Sequence, residues 1–161
     1  MKKITFILFA LIAGSAFAQT GGTDNATADV DADIVSVISI TKDVDLNFGK
    51  VISDATGGTV IIGTNSARSG TADYVTVGAS PSAASFTIGA ETGYTYSISY
   101  IGSALSGTGT DMPIAYDLSL PATGNSGGVD TELLIGGTLS VGTTQTVGAY
   151  SGTVAVTVSY E

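Results

Sequence analysis

Near its C-terminal end the chain alternates strictly: Val154, Val156, Val158 and Tyr160 are separated by Ala155, Thr157 and Ser159. Successive side chains of an extended strand point to opposite faces, so this run encodes a strand with one apolar and one polar face. Such a strand needs partners along its edges and an apolar layer opposite it. The rest of the chain repeats the same period.

Ala26, Ala28, Val30, Ala32 and Ile34 alternate with Thr27, Asp29, Asp31 and Asp33, which predicts a strand with a small-residue apolar face. The phase slips at Ile34-Val35 and resumes through Val37, Ile38 and Ile40, the mark of a bulge or a change of sheet. Val44, Leu46 and Phe48 continue to Gly49, and Val60 and Ile62 follow the turn at Gly57-Gly58. Arg68-Ser69-Gly70 reads as a loop, and Asp73–Val77 and Ala84–Ile88 read as strands around Pro81. Tyr94, Tyr96, Ile98 and Tyr100 form an aromatic alternation.

Ser103–Thr110 and Ala122–Gly128 are rich in loop residues; between them Pro113 opens a strand through Ile114, Tyr116, Leu118 and Leu120. Leu133, Ile135, Leu139 and Val141 make another, in which Gly136-Gly137 marks a bulge or a close approach of backbones. Thr143–Gly148 turns the chain into the final strand. No segment sustains the i, i+3, i+4 spacing of a helix. About nine short strands imply an all-β, antiparallel sandwich over residues 26–161. Its expected core is Leu46, Phe48, Phe86, Ile88, Tyr96, Ile98, Ile114, Tyr116, Leu118, Leu139, Val154, Val156 and Val158.

The first eighteen residues carry a different message. Lys2 and Lys3 precede a short apolar run, Ile4–Ala13, and Ala16-Phe17-Ala18 offers a cleavage site. This three-part pattern is that of a secretory signal peptide over residues 1–18, its apolar run too short to span a bilayer. Residues 19–25 then form a flexible leader. The expected location is periplasmic, cell-surface or extracellular. The exported chain keeps only Lys42, Lys50 and Arg68 against fourteen carboxylates. That surplus repels phosphate backbones and anionic headgroups, so neither nucleic acid nor a membrane surface is an expected partner. The chain has no cysteine, so the fold must hold without disulfides.

Several of these residues fall into a family pattern. Ile38–Lys42 leading to Leu46-Asn47-Phe48-Gly49, Ala84–Gly89, Tyr94–Ile98, Met112, Ile135–Leu139 and Gly148–Val158 resemble secreted bacterial proteins of the domain of unknown function 4402 family. Through it the chain also resembles spore-coat-U and archaic chaperone–usher pilin subunits, although those commonly carry a disulfide. The resemblance implies an immunoglobulin-like sandwich exported across the inner membrane, with no catalytic residues to carry over.

The reactive inventory is sparse. With no His and no Cys, the usual nucleophile–base pairs and zinc sites are unavailable. Glu91 and Glu132 remain as a formal carboxylate pair, but both read as exposed acids at turns. Asp29, Asp31 and Asp33 are weak metal candidates: the sixth and twelfth positions of a calcium loop starting at Asp29 hold Ile34 and Ile40. On a strand those carboxylates lie about 7 Å apart; Asp43 and Asp45 could contribute from nearby, but nothing in the sequence requires it. The simpler reading is a charged face that protects an edge strand. No cofactor and no enzymatic activity are expected.

Binding is the better prospect. Tyr94, Tyr96, Tyr100 and Tyr116 suit either a saccharide-stacking surface or, as preferred here, a core with hydroxyls at its edge. Asn25-Ala26-Thr27 fits a glycosylation sequon, a pattern frequent by chance. The two chain ends suggest self-association: Ala26–Ile34 either folds back onto its own sheet, the preferred reading, or adds as a strand to another copy. The functions to weigh are a structural or adhesive surface subunit, a soluble carbohydrate- or partner-binding module, and, third, a small outer-membrane barrel.

Overall fold

The computed structural model describes residues 21–78 and 80–161. The expected signal peptide, residues 1–18, lies outside them. The described residues up to Asp33 make one unit and Ile34–Glu161 another.

In the first unit, residues 21–33 have no strand and every residue is exposed, Val30 at 91%. The strand expected at Ala26–Ile34 is therefore absent as an intramolecular element, and Ile34 itself is 99% exposed. The reason is physical. Alternation assigns the faces of a strand but supplies no edge to pair with, and three of the five apolar positions are alanines with little surface to bury.

The second unit is all-β, with eleven strands and no helix among the described residues. In chain order they are β1 Ser39–Val44, β2 Gly58–Ile62, β3 Arg68–Gly70, β4 Ala84–Gly89, β5 Thr95–Gly102, β6 Ser106–Gly107, β7 Ile114–Leu118, β8 Thr123–Asn125, β9 Thr131–Val141, β10 Tyr150–Ser151 and β11 Val154–Tyr160. All pairings are antiparallel. One sheet runs β1-β4-β9-β2-β3 with β7 also on β9; a second is β11-β5-β8; β10 pairs with β6. The sheets have open edges and do not close into a barrel, which sets aside the outer-membrane barrel.

The long strand β9 organises the larger sheet. Along one edge it pairs with β4 over Thr131–Ile135 and then with β2 over Gly137–Val141; β7 pairs with it over Ile135–Leu139. Gly136 sits where β4 gives way to β2, and a Cβ there would run into the Ile62 carbonyl. The glycine pair is thus a close approach of backbones, one of the two readings its sequence allows. Leu133, Ile135 and Leu139 are fully covered.

Two apolar clusters form the interior. One joins Phe86, Ile88, Leu133 and Ile135 of the larger sheet to Tyr96 and Ile98 of β5. The other gathers Phe48, Val60, Ile62, Met112, Leu139 and Val141. Of the expected core, Phe48, Phe86, Ile88, Tyr96, Ile98 and Leu139 are buried. Leu46, Ile114, Tyr116, Leu118, Val154, Val156 and Val158 are only half-buried at the margin.

Several local expectations are corrected. Arg68–Gly70 is a strand, secured because the Arg68 guanidinium donates to the Phe48 and Val75 carbonyls and lies 4.0 Å over the Tyr74 ring. Asp73–Val77 is no strand; its only ladder contact is the isolated bridge of Tyr74 with Val51. The Ser103–Thr110 and Ala122–Gly128 loops contain the short strands β6 and β8. Val35–Ile38 remains unpaired before β1, where the phase slip predicted an interruption.

Candidate functional site

The strand β11 borders the feature that most needs explaining. Thr153 O accepts from Ser103 N at 2.9 Å and Thr95 O from Glu161 N at 3.1 Å. These two bonds fix the phase of the β11–β5 ladder, in which the odd-numbered residues of β11 bond to β5. The N–H and C=O groups of Val154, Val156, Val158 and Tyr160 consequently face the other edge. Among the described residues no strand pairs there. The same even-numbered residues carry the apolar side chains, which explains their partial exposure.

The segment leading from β1 supplies the facing wall. Its pairing edge is used by β4 and, further along, by Ser82 and Asp73: Asn47 and Ser82 exchange bonds of 2.8 and 3.0 Å, and Ile52 N donates to Asp73 O at 2.9 Å. Its other edge faces β10 and β11 across a trough. One part of the trough, a cavity of about 510 Å³, lies between Lys42–Gly49 and Tyr150–Val154, floored by Phe86, Ile114 and Tyr116. The second, about 370 Å³, lies between Phe48–Ser53 and Gln145–Tyr150, floored by Met112, Leu139 and Val141. Phe48, Gly49, Leu105 and Tyr150 line both, so the two are one continuous groove.

The groove has a polar rim of known sign. Lys42 and Lys50 line it, with Asp45 the only acidic lining residue. Lys42 pairs across β4 with Phe86, in phase with Ile40 opposite Ile88, so its stem starts from the inner face of an open edge. Its Nζ reaches Asp45 Oδ1 at 2.7 Å. The pair stands largely in solvent, and a lysine at a free edge is a common guard against unspecific pairing.

The end of β11 away from the groove is closed by a polar knot. Ser36 donates to Glu91 Oε2 through Oγ at 2.8 Å and through its amide at 3.3 Å. The Tyr160 hydroxyl donates to Ser36 O at 3.1 Å and accepts from Glu91 N at 2.8 Å. The Ser36 hydroxyl, then its amide, and then the Thr92 amide hold the Glu91 carboxyl below its ordinary value. The Tyr94 ring leans on Tyr160 with centroids 5.7 Å apart.

The other sequence-stated candidates are dispersed. Asp29, Asp31 and Asp33 are exposed and outside any strand, and no group of three acids among the described residues is close enough to hold a cation. Asp43 accepts from Thr87 and Asp45 from Lys42. Glu132 accepts from Ser85 at 2.9 Å and Glu91 from Ser36, so the two glutamates serve different partners. Tyr96 is buried; Tyr94 and Tyr100 are 39% and 42% exposed. Tyr116 donates to Ser103 O at 2.7 Å, and burial pushes its phenol above the ordinary range. Sequence reasoning named the two chain ends but missed the groove itself, because its second wall is made of Lys50–Ser53 and Gln145–Tyr150, stretches with no period.

A family model described as Domain of unknown function (DUF4402) matches residues 38–160. Comparison with curated proteins and with solved structures finds no match.

Proposed function

The chain belongs to the DUF4402 family, and from that premise we propose that it is an exported, non-enzymatic structural or adhesive subunit of the bacterial surface. Its two sheets are read as an immunoglobulin-like, pilin-like sandwich that lacks one edge strand. A strand added from another copy completes it. The observation that carries this reading is the groove between the Lys42–Ser53 wall and the Gln145–Val154 wall, which meets the start of the unpaired edge of β11 at Val154. An added strand would bond to the main chain of Val154, Val156, Val158 and Tyr160 and cover their half-exposed side chains.

The donor is residues 26–34. This segment has alternate apolar positions, is exposed throughout, and spans about 30 Å when extended. Its alanines suit a shallow groove. Its own root is tied at Ser36 beside Tyr160, at the end of β11 remote from both cavities. Another copy is taken as the recipient because this segment is exposed throughout and forms no strand among the described residues.

The test compares residues 19–161 with a form lacking residues 19–34 by light scattering after chromatography. The longer form is expected to assemble and the truncated form to remain folded and monomeric. Equal size distributions for the two would overturn the reading. A soluble carbohydrate-binding module is the second reading, favoured by the exposed faces of Tyr94 and Tyr100; retention of monomer on a glycan array would support it instead.

A further inference from the structure

Among the described residues, the lining of the groove carries more cations than acids although the chain is acidic overall. Two of the three cations in residues 21–161, Lys42 and Lys50, line it, with one of the fourteen carboxylates. That carboxylate, Asp45, is already engaged by Lys42, and Lys50 makes no salt bridge among the described residues. Residues 21–33 contain Asp24, Asp29, Asp31 and Asp33 and no cation. In an extended segment, Asp29, Asp31 and Asp33 share the face opposite Ala28, Val30 and Ala32 and stand about 7 Å apart. When the apolar residues turn down into the groove, the three carboxylates form a row along its mouth, within reach of flexible lysine stems.

We propose that Lys42 and Lys50 select the incoming strand and set its register by pairing with Asp29, Asp31 and Asp33 of a second copy. The inference rests on the strand-addition reading and goes beyond it by naming the chemistry of recognition. Strand insertion removes water from around Lys42, whose stem starts on the inner face. An uncharged strand leaves that ammonium poorly compensated, whereas an acid-bearing one offers it a second carboxylate besides Asp45. Lys42 thus serves as a guard against neutral edges and as a reader of acidic ones. Charge at the rim of an interface acts chiefly on the association rate and on its salt dependence.

Assembly of residues 19–161 followed by light scattering tests this. At low salt the parent is expected to associate roughly tenfold faster than at 0.5 M salt, since rim charges are then unscreened. Lys42→Glu with Lys50→Glu, or Asp29→Lys with Asp31→Lys and Asp33→Lys, should each slow it by about the same factor. Both sets combined in one chain should restore the parent rate. A combined chain as slow as either set, with all melting curves alike, overturns the proposal, as does a rate indifferent to salt. Should the groove set unfold, the segment set supplies an independent readout, because those residues lie outside every sheet: an unchanged rate there is equally fatal. Failure of the underlying reading looks different, since a parent chain that never assembles, or a truncated one that does, removes strand addition altogether.

Discussion

Leu133 and Val156 occupy equivalent places in two alternating strands, yet their surroundings differ. Leu133 has no exposed surface and lies between β4 and the second sheet, while Val156 is half-buried beside an open edge. Leu133→Ala should cost about 2–5 kcal/mol, the range for a buried leucine in a close-packed site. Val156→Ala should cost only about 1 kcal/mol, because much of that side chain is already in water. Denaturant melts of the two variants check this, and equal losses would show that Val156 is fully enclosed. Their difference also marks what the amino-acid pattern can and cannot convey. Period two identifies which face is apolar, and it did so correctly for Phe86, Ile88, Tyr96 and Ile98. It says nothing about how much cover lies opposite that face, so Val154, Val156 and Val158 read as core although the layer above them is incomplete. Val60, Ile62, Leu133, Ile135 and Val141 lay in recognised strands but outside the expected core, since burial there comes from neighbours distant in the chain.

Elements were legible in proportion to their length. β5, β9 and β11 each carry several full periods, and all were expected. Strands of two or three residues hold no period: β3 exists because Arg68 is anchored on both sides, and β8 because β5 offers an edge to Thr123–Asn125. Ala26–Ile34 shows the converse, a full pattern that forms no strand. The knot of Ser36, Glu91 and Tyr160 had no sequence signal, because its members lie far apart and none belongs to a motif. It does have a pH signature. Glu91 has a lowered value in the folded state, so its contribution is complete above the ordinary carboxylate value of 4.5 and is lost as pH falls through the lower folded value. The Ser36 amide signal in an NMR titration should therefore shift with a midpoint below 4.5. Glu91→Gln should abolish the shift. A midpoint at or above the ordinary value would mean that the Ser36 bonds are not kept in solution.

On the scale of the whole molecule, the open edge of β11 and the groove beside its start imply, on the strand-addition reading, that an added strand raises stability. A synthetic peptide of residues 26–34 added to the truncated chain should raise its melting temperature. At a hundredfold excess over its dissociation constant the gain is about 2.7 kcal/mol, or roughly 10 °C for a domain of this size. A peptide with the same composition in scrambled order should do much less, and an equal rise with both would show that the groove does not read alternation.

The continuity of Ser36 with β1 also determines how the domain carries mechanical load. Tension on the residues upstream of Ser36 passes along the backbone into β1 and strains first the bonds of Ser36 to Glu91 and Tyr160. It then runs lengthwise down β1, so the ladder to β4 is loaded in shear, with its bonds sharing the force instead of opening one after another. On the strand-addition reading, the outgoing segment hangs from the β1–β4 ladder and the incoming one from β11 on β5, so a pull along an assembly crosses from one sheet to the other.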